Sequence, residues 1–301
     1  MKPIYQLLRR LGHQRWLRFG IRDRIIRLFH QSDTAASELF TVPFYGYIYE
    51  GNLNSFIDWS TYFYGAYSYQ ELDLMHDILS QQTNAVFIDV GGNVGNHSLF
   101  AAAHCQQVVA FEPVPYLYQH IRRKQRLNNL ANVSVFNCAL GEDTTVSSFL
   151  LPSSGNQGTG RIPTVGESVT GETITVDIKN GDAFLAEMGI NRVSLIKIDV
   201  EGYEPFVLRG LPDTMALCRP LVFFEWSTAS ADQLHPSTIL SLFPVSYKIF
   251  YVNSHRPAYF LFEHKRYQLQ LAHDTMPEGN YLAIPTEAFT DGRTALLQFI
   301  G

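Results

Sequence analysis

The feature that most constrains the fold is a regular alternation of short apolar runs and helical stretches from residue 85 to residue 226. The apolar runs are AVFIDVGG, QVVAFEP, VSVFNCAL, VSLIKIDVEG and PLVFFEW, and residues 93–104 and 115–127 between them predict helices. Strands that are apolar on both faces and separated by helices predict a parallel sheet with helices on both sides. Two later runs, KIFYVN and NYLAIP, predict a closing antiparallel pair of strands.

The composition allows one large core and excludes several classes of protein. The 301 residues are 46% hydrophobic and 17% charged, and the net charge of −5 gives no basic field for nucleic acid. No apolar run is long enough for a transmembrane helix, and no secretory leader is recognisable, so we expect a cytoplasmic protein. The cysteines Cys105, Cys138 and Cys218 have no metal-like spacing, and we expect them to be reduced and buried.

The N-terminal residues 1–30 differ from the rest of the chain in charge. Eight basic residues and one acid give this segment +7, against −12 for the remainder. The interleaved apolar residues predict one or two amphipathic helices, which would either dock on an anionic membrane surface or cap the acidic body. Gly12 and Gly20 limit helix length and favour the cap, so we expect at most weak membrane-surface contact.

Three further segments complete the predicted organisation. Residues 38–70 are rich in aromatic side chains and predict a strand and a turn, followed by a helix over 69–80. Residues 146–152 predict an edge strand, and the polar, glycine-containing residues 153–171 predict a loop that is either a lid or a disordered segment. We therefore divide the chain into a basic helical and aromatic-rich extension, 1–66, and a main domain, 67–301.

A glycine-containing loop follows the first strand of the alternation. It runs from Asp89 to Asn96 as DVGGNVGN, and Glu112 follows the next strand. Taken alone, the loop is either a simple turn or a ligand-binding loop. Glu112 is either a carboxylate at the start of a helix or an acceptor for ribose hydroxyls. The spacings typical of dinucleotide and triphosphate sites are absent, and an acidic residue opening the loop would repel phosphate. This pattern fits S-adenosylmethionine better than NAD or ATP.

A second cluster of charges follows the fourth strand. Lys197, Asp199, Glu201 and Glu204 lie within eight residues, and Glu225 ends the next strand. Carboxyl ends of parallel strands form the crevice where such sheets bind ligands, although a solvated turn would also place charges there. These carboxylates would suit Mg²⁺, but we expect a site without metal.

The motifs together resemble a known family. DVGGNVGNHS, AFEPVP, NCALGE and SLIKIDVEGYEPFVLRGL resemble the FkbM-type S-adenosylmethionine-dependent methyltransferases over residues 67–227. The resemblance implies the class I methyltransferase three-layer sandwich, with a seven-stranded, mostly parallel sheet that has one antiparallel strand near its edge. It also implies O-methylation of a hydroxyl on a sugar, polyketide or related natural product. Gly92 stands where the family more often has alanine, which is a mild departure. The segments before residue 67 and after residue 227 lie outside the resemblance, so it does not specify the acceptor.

The resemblance also implies roles for individual residues. The loop around the methionine portion would be formed by Asp89, Gly91, Asn93, Gly95 and Asn96. Glu112 would hold the ribose, Asn137 and Ala139 would border the adenine, and Glu71 would close over the cofactor. The candidate bases, in order, are Asp199, Glu201 and His97; Glu225 would position the acceptor, and Lys197 shares a strand face with Asp199.

Two other functions remain open at this point: an NAD-dependent oxidoreductase, and a non-catalytic scaffold that retains the fold. The missing dinucleotide spacing counts against the first, and the retained loop residues count against the second. The expected partner is a small-molecule or glycan acceptor, not nucleic acid.

Overall fold

The computed structural model describes most of the chain. The described residues are 3–32, 36–152, 160–163, 170–227, 241–255, 258–259, 262–263, 266–272 and 277–289. Most of the predicted loop 153–171 lies outside them.

Helices and strands occupy the following ranges. The helices are α1 Pro3–Gly12, α2 Phe19–Phe29, α3 Phe56–Tyr64, α4 Tyr69–Leu79, α5 Asn96–Ala101, α6 Pro115–Leu127, α7 Gly181–Glu187, α8 Glu204–Arg209 and α9 Pro212–Leu217, with a short 3₁₀ helix at Thr286–Phe289. The strands are β1 Leu39–Phe44, β2 Tyr47–Asn52, β3 Val86–Val90, β4 Gln107–Phe111, β5 Val133–Phe136, β6 Ala139–Gly141, β7 Thr145–Leu150, β8 Thr173–Asn180, β9 Leu195–Ile198, β10 Leu221–Trp226, β11 Tyr247–His255, β12 Ala258–Tyr259, β13 Phe262–Glu263, β14 Arg266–Leu271 and β15 Gly279–Pro285.

The main sheet has the order β14-β11-β15-β10-β9-β3-β4-β5. The five strands from β5 to β10 are parallel, and β15 runs antiparallel between β10 and β11. This arrangement confirms the predicted α/β sandwich with its mostly parallel sheet and its closing antiparallel pair. The additional strand β14 pairs with β11 and extends the predicted seven strands to eight.

Two apolar cores lie on opposite faces of this sheet. Phe87 of β3 belongs to the core shared with α4, α5 and α6, whereas its neighbour Ile88 belongs to the core shared with α7, α8 and α9. Successive side chains of a strand point to opposite faces, so a strand buried on both faces must be apolar throughout. This explains why the alternation in the sequence predicted the architecture.

The third apolar run does not form one strand. The predicted strand over 133–140 divides into β5, which joins the main sheet, and β6, which belongs to a separate small sheet with the order β6-β8-β7. The chain leaves the main sheet at Asn137, whose side-chain amide donates hydrogen bonds to the carbonyl oxygens of Glu112 and Pro113. These bonds fix the point at which the chain turns into the small sheet.

The N-terminal helices α1 and α2 pack on α3. Tyr5, Leu8 and Ile26 are buried and belong to the same continuous core as Phe87 of the main sheet. The buried Arg22 donates a hydrogen bond to the carbonyl oxygen of Gly12, which connects α2 to the end of α1. The division of the chain after residue 66 and the weak membrane-surface contact stay predictions.

Replacing Ile26 by alanine is expected to lower the free energy of unfolding by about 2–4 kcal/mol, because a fully buried side chain leaves a cavity. Leu28 on the same helix is 81% exposed, so Leu28→Ala is the matched control and should change stability little. Urea unfolding of both variants makes the comparison. Equal stability of the two variants would mean that α2 contributes nothing to the core.

The cysteine prediction needs one correction. All three thiols are free, and Cys105 and Cys138 are buried, but Cys218 is only half-buried. It lies just after α9 at the surface and donates to the carbonyl oxygen of Asn191. Within the described part of the chain, none of the helices combines the length and the apolar character that crossing a bilayer requires.

Candidate functional site

A cleft lies at the carboxyl ends of β3, β4, β9 and β10. It consists of an apolar pocket and a polar pocket that share Gly91, Asn93, Asp199 and Glu201. The predicted glycine loop therefore forms part of the wall of both pockets. Open α/β sheets bind ligands at this edge, where the strand order reverses.

The glycine loop is held tightly against the sheet. The N–H groups of Gly91 and Gly92 both donate to the carbonyl oxygen of Phe111 at the end of β4. Gly91 has a φ of +83°, and a Cβ there would collide with the carbonyl oxygen of Asp199. Only glycine fits this close approach of β3 and β9. Positive φ at Asn93 and Gly95 also delays the helix, so α5 begins at Asn96 and not at the predicted residue 93.

Asp89 lies beneath the loop and does not line the cleft. It is 1% exposed, accepts a hydrogen bond from the Ser98 hydroxyl, and lies opposite Lys197 in the β3–β9 register. Its other carboxylate oxygen has no hydrogen-bond partner among the described residues. The structure thus gives Asp89 a position that supports the loop from below.

Glu112 is buried at the end of β4, and both of its carboxylate oxygens accept hydrogen bonds from the backbone. One oxygen accepts from the Asn93 N–H at 2.7 Å and the other from the Val114 N–H at 2.9 Å. Burial raises the pKa of Glu112 to about 8, although these two N–H groups act in the opposite direction. Each oxygen keeps a further lone pair, so the carboxylate can accept from a ligand that carries two hydroxyls.

The apolar pocket adjoins Glu112. Ala139 lines it, as predicted for a residue that borders the adenine, but Asn137 is not among its lining residues. The small sheet contributes Phe149, and Ile162 also lines the pocket. Side chains of this kind suit a flat heteroaromatic ring.

Four carboxylates and one buried ammonium group line the polar pocket, and three of the carboxylates form a cluster. Oxygens of Asp199, Glu201 and Glu225 lie within 4.8 Å of one another, a spacing that would also suit a divalent cation. Lys197 is buried, and its Nζ lies 2.8 Å from Asp199 Oδ2. The ammonium group therefore supplies a fixed positive charge at the edge of the cluster.

The three carboxyl groups of the cluster differ in pKa because their surroundings differ. Burial opposes ionisation of Asp199, but the Lys197 ammonium outweighs it and holds the pKa of Asp199 below its ordinary value. Burial, followed by the charge of Asp199, raises the pKa of Glu225 to about 8 and that of Glu201 to about 7. Asp199 is thus the ionised member, and Glu225 holds its proton most strongly.

Glu204 corrects one expectation from the sequence. The spacing suggested it as a fourth oxygen ligand for a metal, but its side chain is fully buried. One of its oxygens accepts from the N–H groups of Val200 and Gly202, which stabilises the turn between β9 and α8. Glu201 lies in the same turn and has a φ of +53°.

A hydrogen-bonded chain of side chains closes the far side of the polar pocket. His97 Nε2 lies 3.0 Å from one oxygen of Glu71, and the Asn280 amide donates to the other at 3.1 Å. Asn280 lies opposite Glu225 in the β10–β15 register. The predicted closing residue Glu71 is therefore fixed between α5 and β15, and His97 orients Glu71.

Sequence reasoning missed Asn280 and Tyr67, both of which line the polar pocket. Asn280 was recognisable, because a closing antiparallel strand begins at the edge where its parallel neighbours end. Tyr67 was one of many aromatic residues in its segment, and nothing in the sequence distinguished it. Burial, with Glu71 and Asp199 nearby, raises the pKa of Tyr67 to about 12, so it stays a hydroxyl donor.

The residues of the cleft fit S-adenosylmethionine. Buried side-chain oxygens of Asn93 and Asn96, which line the polar pocket, have no hydrogen-bond partner among the described residues. They can accept from an ammonium group. Glu112 lines the apolar pocket, and the polar pocket adjoins it through shared residues. One cleft therefore offers places for a heteroaromatic base, a ribose and a charged amino-acid portion.

Comparison with known proteins gives a match to one family model and several methyltransferase relatives. The family profile described as Methyltransferase FkbM domain matches residues 89–268. Methyltransferase 1 of Beauveria bassiana is 32% identical over 160 residues, covering 47% of this chain and 64% of that protein. Hexuronic acid methyltransferase AglP of Haloferax volcanii is 27% identical over 146 residues, covering 48% and 58%. The matched part of the chain thus spans less than two thirds of the length of either relative.

A solved structure, the methyltransferase FkbM of Methylobacillus flagellatus, is 19% identical with a TM-score of 0.42. The match covers 66% of this chain and 43% of that one.

Proposed function

Because the chain belongs to the methyltransferase FkbM family, we propose that it is an S-adenosylmethionine-dependent O-methyltransferase. The observation that carries this proposal is the buried Glu112 carboxylate beside a glycine loop, next to a polar pocket with carboxylates of unequal basicity. The acceptor that we propose is a hydroxyl of a sugar, polyketide or related natural product. The name of the Haloferax volcanii relative, a hexuronic acid methyltransferase, supports the sugar class.

Residues of this chain would hold the cofactor in three places. Glu112 would accept from the ribose hydroxyls, and Ala139 with its apolar neighbours would contact the adenine. Asn93 and Asn96 would bind the amino-acid portion. When bound, S-adenosylmethionine supplies an activated methyl group on a sulfonium. The protein's remaining task is to orient the acceptor hydroxyl and to accept its proton.

We assign proton acceptance to Glu225 in preference to Asp199. A stronger base is better matched to a hydroxyl, and burial next to Asp199 makes the Glu225 carboxylate the stronger base. Lys197 pairs with Asp199 and keeps it ionised, so Asp199 acts on Glu225 through its charge. The same ammonium group supplies the positive charge that a metal would bring, which supports our proposal of a metal-free site.

The test is transfer of a labelled methyl group. Purified protein is incubated with S-[methyl-³H]adenosylmethionine and a panel of sugars, sugar acids and hydroxylated polyketides, and calorimetry measures binding of S-adenosylhomocysteine and of NAD⁺. We expect a labelled methyl ether and binding of S-adenosylhomocysteine. Binding of NAD⁺ in its place would support the oxidoreductase, and a labelled ester would identify a carboxyl acceptor.

A further inference from the structure

A second cavity lies away from the cleft, on the N-terminal part of the chain. It encloses about 500 Å³ between α1, β1 and α3. The polar groups that line it on or directly after α1 are Gln6, Arg9, Arg10, His13 and Gln14, and α3 contributes Tyr62. None of its lining residues belongs to the cleft.

The cavity carries positive charge, and none of the described residues that line it is acidic. Among the described residues, none of the ion pairs involves Arg9, Arg10 or His13. Burial, and then the charge of Arg9, lowers the pKa of His13. At the Tyr62 hydroxyl, burial raises the pKa, the charge of Arg9 lowers it and the charge of Glu38 raises it.

A second observation, separate from the charge, is that the cavity contains buried hydrogen-bond donors without an acceptor among the described residues. Tyr62 is 1% exposed, and its hydroxyl has no hydrogen-bond partner among the described residues. The buried Nε of Arg9 also lacks a partner there, and the Arg9 guanidinium lies 5.7 Å from the centre of the Tyr62 ring. A buried polar group without a partner is costly, so both groups are satisfied only when an acceptor enters the cavity.

We propose that this cavity binds the phosphate group of a phosphate monoester. Two guanidinium groups and a hydroxyl offer donors to several oxygens of one tetrahedral anion, and guanidinium matches phosphate in a bidentate manner. The cavity is larger than a bare ion needs and falls in the range of small-ligand sites, so an organic group is expected on the phosphate. A soluble sugar phosphate and the headgroup of phosphatidic acid are both phosphate monoesters and share this chemistry.

The experiment measures binding of two probes to the full chain. Calorimetry uses glucose 6-phosphate, with glucose as the neutral control, and flotation uses phosphatidylcholine vesicles with and without phosphatidic acid. We expect binding of at least one phosphate probe with a dissociation constant below about 1 mM, an affinity readily measured. Binding of the soluble probe identifies a free phosphate ester as the ligand, and flotation alone identifies a headgroup.

Variants connect the binding to the cavity. Arg9→Gln and Arg10→Gln should each weaken binding about tenfold, as expected for loss of a charge-assisted hydrogen bond, whereas Arg24→Gln, an exposed arginine on α2, should leave it unchanged. Tyr62→Phe should weaken binding without lowering the melting temperature, because it removes a hydroxyl that has no hydrogen-bond partner among the described residues. Absence of binding to both probes, or equal weakening by Arg24→Gln, would overturn the proposal.

Discussion

Replacing Glu112 by alanine should weaken binding of S-adenosylmethionine by about 100-fold, because two charge-assisted hydrogen bonds to the ribose would be lost. Glu112→Gln keeps the size of the side chain and should lose less. Calorimetry with S-adenosylhomocysteine measures both variants. Glu187→Gln, an exposed residue on α7, removes the same charge from the surface and serves as the control. Unchanged affinity in Glu112→Ala would remove Glu112 from the cofactor site.

The same residue predicts a pH dependence of binding. The pKa of Glu112 in the free protein is raised to about 8 by burial. Only the ionised carboxylate accepts from both hydroxyls, so the affinity should rise with pH between about 6 and 8 and level off above that range. In Glu112→Gln this rise should disappear. A flat profile in the unmodified protein would mean that the carboxylate is already ionised, or that it does not bind the ligand.

Strong local signals explain why much of the fold could be predicted. The helix predicted over Pro115–Leu127 has the same bounds in the structure, because proline fits its first turn and the apolar spacing is regular. The small sheet was not predicted, because nothing in the run VSVFNCAL marks where the chain leaves the main sheet. Asn137 ends β5 through bonds to Glu112 and Pro113, which are distant in sequence.

The site was predictable where its residues follow parallel strands. Glu112 and Asp199 lie at the carboxyl edge as expected, because that edge is fixed by the topology. The order of basicity was not predictable, since it depends on which carboxylate contacts the Lys197 ammonium. Its sequence position made Asp199 the first candidate for the base. Because Lys197 pairs with Asp199 and lowers its basicity, we propose Glu225 as the base instead.

Replacing Glu225 by glutamine should lower turnover by about 100- to 10,000-fold while cofactor affinity changes little, because the proton acceptor is lost and the cofactor contacts remain. In the unmodified protein, turnover should rise with pH through about 8, since the protonated Glu225 carboxyl cannot accept a proton. Single-turnover rates with saturating cofactor test both statements. EDTA should leave these rates unchanged, and stimulation by Mg²⁺ would instead indicate a metal held by the carboxylates.

The variant Asp199→Asn distinguishes the residue that accepts the proton from the residue that raises the pKa of that acceptor. This variant should also lower turnover by at least about 100-fold, with cofactor binding preserved, because the Glu225 carboxylate becomes a weaker base. The charge of Asp199 raises the pKa of Glu225, so the remaining activity should show its pH midpoint at a lower pH than in the unmodified protein. If Asp199 itself accepts the proton, Glu225→Gln will keep a near-normal rate, and the residual activity of Asp199→Asn will show no such shift.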